Sequence, residues 1–222
     1  MILNGAWMLA DCRLQKVEQE TRHLHHYLDE TDECFFIGEY TSGRNYEFSQ
    51  INQLIYNLKK KPSLQHTNPS AYKYKLLDIS VVSNCLKRIL KKEHLNSVLT
   101  IVPIPPSKTR SHPEHDDRMW RICAGLIEGL ESPDLIELIQ SKENVAATHQ
   151  EEHKPPPKEL IRNYEIVAHP GYLPRKYVVL VDDMLTTGTH FKACKNLVLQ
   201  AYPNVNVVGI FVSRRVFPPI FD

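Results

Sequence analysis

Hydrophobic and polar positions follow helical spacing in some stretches of the chain and form short apolar runs in others. Ser49 precedes Ile51, Leu54, Ile55 and Leu58 at helical spacing, and the run ends in Lys59-Lys60-Lys61-Pro62. A serine cap, cations at the C-terminal end and a stopping proline predict a helix here. A second helix is predicted over 78–92, where Val81, Val82, Cys85, Leu86, Ile89 and Leu90 share a face and the tail is basic. Met119, Ile122, Cys123, Leu126, Ile127 and Leu130 predict another, and 189–200 another. Residues 6–28 are polar with weak helical periodicity, which predicts a surface helix carrying the imidazoles of His23, His25 and His26.

The apolar runs are short. CFFIGEYT at 34–41, the β-branched VLTIVPIPPSKTR after Ser97, and residues 135–139, 177–181 and 205–212 read as strands. Strands alternating with helices predict an α/β fold with a mainly parallel central sheet flanked by helices. The polar stretch SKENVAATHQEEHKPPPKELIRN, with Pro155, Pro156 and Pro157 in a row, is expected to be a mobile excursion.

Composition narrows the function classes. The chain has 222 residues, and 27 Lys+Arg against 26 Asp+Glu leave a formal charge of +1. No global field draws such a chain to nucleic acid or to an anionic membrane. Its apolar runs are far shorter than a membrane helix requires, so no membrane is expected as a partner. The N-terminus shows no basic leader or cleavage site, which points to the cytoplasm. Cys12, Cys34, Cys85, Cys123 and Cys194 are odd in number, widely spaced and free of CxxC pairs, so they read as reduced thiols. The pairs His112 with His115 and His149 with His153 have metal-compatible spacings, but read as surface imidazoles. Lys59 to Lys61, Lys91-Lys92 and Arg214-Arg215 read as helix ends and solvated faces. Signatures of P-loop, zincin, nucleophile-elbow and GxGxxG proteins are absent.

The candidate chemistry concentrates in YVVLVDDMLTTGTHFKA, from Tyr177 to Ala193. A buried parallel strand ending in two acids, followed by a hydroxyl-rich turn at a helix start, sets ligand-binding devices at the carboxyl edge of a sheet. Thr186, Thr187 and Thr189 offer hydroxyls, Gly188 lets backbone amides turn inward, and the helix N-terminus adds partial positive charge. That combination suits a phosphate monoester, while Asp182 and Asp183 suit a vicinal diol. A ribose 5-phosphate presents both groups. The bland reading of the same residues is a solvated strand end and a helix cap.

The string VVLVDDMLTTGTH resembles the 5-phosphoribosyl 1-pyrophosphate (PRPP) signature of type I phosphoribosyltransferases. IVPIPPSKTR followed by DDRMWRICAGL resembles the pyrophosphate-loop region of the ComF-like branch, and the FSQINQLIYNLKK helix is also similar. The resemblance spans about 48–214 and implies a type I phosphoribosyltransferase-like fold with a small N-terminal and hood extension. On that division, 1–95 form an extension packing on the core and 96–222 form the core, with a hood at about 141–170. Asp182 and Asp183 would hold the ribose hydroxyls, and Met184, Leu185, Thr186, Thr187, Gly188, Thr189 and His190 the 5-phosphate. His190 stands where these loops usually carry another threonine. Pro105, Pro106, Ser107, Lys108 and Arg110 would meet the pyrophosphate, with Arg118 as a further anion clamp.

The implied reaction transfers phosphoribosyl to a nitrogen acceptor and releases pyrophosphate, with Mg2+ held mainly by the diphosphate. Electrostatics would stabilise the cationic ribose in the transition state, and the hood would exclude water. The alternative is a catalytically silent PRPP or nucleotide sensor, used in regulation, DNA uptake or phage defence, for example beside a reverse transcriptase. A protein partner or a homo-oligomer fits either. Asp183→Asn is expected to cut turnover with little effect on folding.

Overall fold

The computed structural model describes Leu9, residues 12–144 and residues 156–218. A two-residue strand β1 (Gln15–Lys16) and a single helical turn α1 (Gln19–Arg22) lead into β2 (Glu33–Thr41). The Ser49 hydroxyl accepts from the Asn52 amide and starts α2 (Gln50–Leu58), as a serine cap should. The short α3 (Leu64–Thr67) precedes α4 (Pro69–Ile89), where Asn68 caps the Ala71 amide and Pro69 opens the helix. Next come α5 (Lys92–Ser97), β3 (Leu99–Pro103) and α6 (Arg118–Ile127). Then follow β4 (Ile139–Ser141), α7 (Pro157–Asn163), β5 (Tyr164–Ile166), β6 (Tyr177–Leu185), α8 (Thr189–Ala201) and β7 (Asn206–Val216).

The central sheet has five strands in the order β1-β2-β7-β6-β3. All neighbours are parallel except the edge strand β1, which runs antiparallel to β2. The small pair β4-β5 is antiparallel and separate. Strand pleating divides the core into two layers. Val179 and Val181 of β6 join Leu54, Leu58, Val82, Leu86 and Ile122 beneath α2, α4 and α6. Val178 and Leu180 join Leu160, Tyr164, Phe191, Cys194 and Val198 beneath α7 and α8. The result is a helix-sheet-helix sandwich whose strand ends converge at one edge.

Several sequence expectations change. The surface helix over 6–28 is replaced, among the described residues, by β1, α1 and turns, and His25 is fully buried. Weak periodicity reflected a segment held by contacts with the sheet edge rather than by a helical face. The helix over 78–92 is the second half of the longer α4 and stops at Ile89, while Lys92 belongs to α5. At 135–139, Leu135 makes an isolated parallel bridge to Ile101, and the regular strand begins at Ile139. The strand at 177–181 runs on to Leu185, because pairing with β7 continues through Met184 opposite Ser213.

Cys12 and Cys85 form a disulfide, so the reading of five free thiols is corrected. Their sequence separation of 73 hid the pairing, which arises where Cys12 meets Cys85 on the buried face of α4. Cys34, Cys123 and Cys194 are free and buried. The central part of the expected hood, with His149, His153 and Pro155, lies outside the described residues. No helix among the described residues is long and apolar enough to cross a membrane.

Candidate active site

The two acids lie on the carboxyl-end stretch of β6, and the pleat sends them in different directions. Asp183 follows Val179 and Val181 on the α2 and α6 side, whereas Asp182 follows Val178 and Leu180. Asp183 is 5% exposed, and Asp182 is half-buried. The loop after β6 closes through Gly188, whose φ of 83° is left-handed and sets the start of α8. A Cβ at Gly188 would also lie 2.8 Å from a Leu28 methyl carbon, so the left-handed conformation favours glycine and any side chain there would displace Leu28.

The segment after α1 is clamped onto this loop. Tyr27 N–H donates to the Thr187 carbonyl over 2.9 Å. His25 Nδ1 bonds to the Thr186 carbonyl, and since a carbonyl only accepts, Nδ1 carries the proton. Burial lowers the His25 pKa against the opposing effect of that hydrogen bond. The Thr187 and Thr189 hydroxyls bond to each other over 2.7 Å. His190 Nδ1 meets the Tyr164 hydroxyl at 2.6 Å, and burial keeps that phenol protonated.

A continuous chain of charge crosses the site. Lys75, fully buried in the middle of α4, donates to Asp116 and to the Lys60 carbonyl, each over 2.6 Å. Asp116 accepts from Arg118 Nη1. Arg118 then holds Asp183 through Nε at 3.1 Å and Nη2 at 2.8 Å. Lys59 Nζ, at the end of α2, stands 3.9 Å from the same carboxylate. Burial alone would raise the Asp183 pKa, but Lys59 and Arg118 reverse the sign and hold it down. Asp182 goes the other way. Burial and the adjacent Asp183 charge push it up to about 7, against the Asp183 amide that it accepts over 2.8 Å. The pair therefore combines one firmly ionised carboxylate with one poised near neutrality.

A cavity of about 180 Å³ is lined by Lys59, Pro105, Pro106, Ser107, Asp116, Arg118, Asp182, Asp183, Met184, Thr186 and His190. It brings together both expected acids, part of the expected phosphate loop and part of the expected pyrophosphate loop. Leu185, Gly188 and Thr189 are buried behind it, with Leu185 in the α7 and α8 core layer. Lys108 and Arg110 line a second cavity of about 770 Å³, which shares Pro105, Pro106, Asp116 and Met119 with the first. Arg110 is ion-paired there with Glu137. Arg118 lies at the first cavity but is engaged by acids on both sides.

The sequence reading passed over Lys59, Lys75 and Asp116 as functional groups. Asp116 had a local signal, since it precedes the helix start that carries Arg118. Lys75 had none, because its partner is 41 residues away. His112 accepts from the Glu114 amide and His115 bonds to the Lys108 carbonyl, so both have local structural duties. Among the described residues, no three His, Cys, Asp or Glu side chains gather where a metal ion could be held.

No protein-family profile matches the chain, and a search of curated proteins finds no match.

Proposed function

We propose that the protein is a type I phosphoribosyltransferase-like protein of the ComF-like kind, which binds PRPP and transfers phosphoribosyl to a nitrogen acceptor. One observation carries this reading. Two adjacent acids, the Pro106-Ser107 loop, and Met184, Thr186 and His190 of the following turn meet around a single cavity at the carboxyl edge of a parallel sheet. The hydroxyl-rich turn at the start of α8 supplies dipole and donors for a 5-phosphate. The acids supply acceptors for the ribose hydroxyls and a negative field for a cationic ribose in the transition state.

The donor set fits Mg2+ as a ligand of the incoming diphosphate, with Asp182 as the carboxylate that retains acceptor capacity. Bound in that way, the metal would neutralise charge on the departing pyrophosphate. Arg118 binds the anionic ligand once it leaves Asp183, and Ser107 offers a hydroxyl to it.

A second reading, the catalytically silent sensor, draws on Arg118 and on size. Arg118 occupies Asp183, and 180 Å³ is below the roughly 300 Å³ at which ligand pockets usually begin. Ligand entry therefore requires rearrangement, which is what a sensor reads out. Titration calorimetry with PRPP and Mg2+ tests the shared claim, and no heat of binding at millimolar ligand overturns it. Pyrophosphate release across a panel of bases and amines then separates the two. Saturable binding without release at any acceptor selects the sensor.

A further inference from the structure

A row of exposed aromatic rings with cations among them is formed by the loop before α2 together with α2 and α4. Tyr46 and Tyr56 stack with centroids 5.0 Å apart and planes 27° from parallel. Lys60 Nζ sits between two tyrosines, 5.4 Å from the Tyr56 centroid and 5.0 Å from that of Tyr74. At the other end, Arg44 lies over Phe48 at 5.4 Å. These four rings are 44–53% exposed, although apolar burial would normally take at least one face of each.

The row is held rigid from beneath. Asn52, 1% exposed, accepts from the Thr41 amide and donates to the Thr41 and Asn45 carbonyls, which fixes the loop that carries Arg44, Tyr46 and Phe48. Lys60 is anchored by the Asn57 side chain at 2.6 Å. Lys61 and Lys73, adjacent in sequence to Lys60 and Tyr74, are exposed, and Glu47 interacts with the Tyr46 hydroxyl. Lys59 continues the line of charge to Asp183, so the row ends at the rim of the candidate site.

We infer that this surface binds single-stranded nucleic acid. The ring faces that remain open stack on unpaired bases of any sequence, while Lys60 between the tyrosines meets the phosphates. A duplex hides its base faces and would meet only the lysines. The overall charge of +1 does not oppose this, because the cations are concentrated locally. The inference stands apart from PRPP binding, since none of the stacking residues lines the 180 Å³ cavity.

Fluorescence anisotropy with a labelled dT oligonucleotide, its oligo-U counterpart and a duplex of equal length tests the inference at low and moderate salt. The single strands are expected to bind more tightly than the duplex. Tyr56→Ala combined with Tyr74→Ala is expected to weaken single-strand binding by about ten-fold or more. Tyr56→Phe should retain it. Lys60→Glu should weaken binding and flatten its salt dependence, whereas Lys91→Glu with Lys92→Glu, which alters charge elsewhere, should change little. Tyr56, Tyr74, Lys91 and Lys92 are exposed, so unchanged melting temperatures and PRPP affinities are expected for the tyrosine and Lys91/Lys92 variants. The inference is overturned if the duplex binds as well as the single strands, or if the double alanine variant binds like the parent. Light scattering that shows a dimer dissolved by the alanine pair, with no oligonucleotide binding, would assign the surface to a protein contact and overturn it too.

Discussion

One buried ionic cluster is built on α8 and another among α2, α4 and α6, and they differ in what they leave unsatisfied. The first surrounds Asp32, 2% exposed. Its carboxylate accepts from Lys195 at 2.6 Å, Lys192 at 2.6 Å and the Asp29 amide at 2.9 Å. Lys195 also donates to the Thr31 carbonyl, and Lys192 to Asp29. The Lys192 hydrogen bond holds the Asp29 carboxyl well below the usual range. Each lysine here has an acid, and each acid has a lysine.

The second cluster runs from Lys75 through Asp116 and Arg118 to Asp183 and Lys59, and it is equally well paired until it reaches Asp182. Among the described residues, that carboxylate accepts a single backbone N–H, with no cation of its own. Structural ion clusters complete their valences because an unmet buried charge is costly. A site that awaits a ligand leaves one acceptor open, and the raised pKa of Asp182 records it. Charge density alone would not distinguish the two clusters; completeness of pairing does.

The largest effect is expected where pairing is complete. Asp32→Ala leaves Lys195, a side chain 10% exposed, with only a carbonyl partner, and is expected to cost about 3–5 kcal/mol in urea unfolding. PRPP affinity measured well below the unfolding range should be unaltered. A cost under about 1 kcal/mol, or a loss of affinity in a stable variant, would erase the distinction between the clusters.

Asp183→Asn comes next, and here the structure revises the expectation of little effect on folding. The carboxylate is buried and takes two hydrogen bonds from Arg118, while Arg118 keeps Asp116 as a second partner. A charge-assisted pair reduced to a neutral one is expected to cost about 2 kcal/mol. On the proposed role, calorimetry should show PRPP binding weakened by about ten-fold or more, because the acceptor proposed for the ribose diol loses its charge. Full affinity in this variant would detach Asp183 from the ligand and leave it a structural role alone.

How much of this was legible depended on sequence distance. The apolar density of β6 and the Thr-Gly turn are local, so the strand, the acids and the start of α8 were readable from Tyr177 to Ala193. The end of β6 was misjudged because acids interrupt the apolar run while the backbone ladder continues to Leu185. The first half of α4 carries Tyr74 and other exposed apolar residues, so its stripe is blurred, and only the Asn68-Pro69 start marked it. The contacts that turn two acids into an asymmetric pair come from α2, α4 and α6. Arg118 is 65 residues from Asp183, and no period in a sequence encodes that contact. The aromatic row was hidden in the same way, since Tyr46, Tyr56 and Tyr74 become neighbours only when α2 packs on α4.

The last effect is the most diagnostic, because it depends on pH. Asp182 has its pKa raised from 3.8 to about 7 in the folded chain. Between those values the native state holds a proton that the unfolded chain has released, so this group's contribution to stability falls as pH rises through the window. Asp183 has the opposite sign: its pKa is depressed, and its contribution is present above 3.8 and fades as pH falls below it. The two windows therefore do not overlap. Asp182→Asn keeps the acceptor for the Asp183 amide and removes only the ionisation. It should match the parent near pH 4 and become progressively more stable than the parent as pH rises through this window. Chemical unfolding of both proteins across pH 4–8 measures the difference directly. A gap that stays constant across that range would mean that Asp182 is ionised throughout and already compensated, and the open acceptor that separates the site from the Asp32 cluster would be gone.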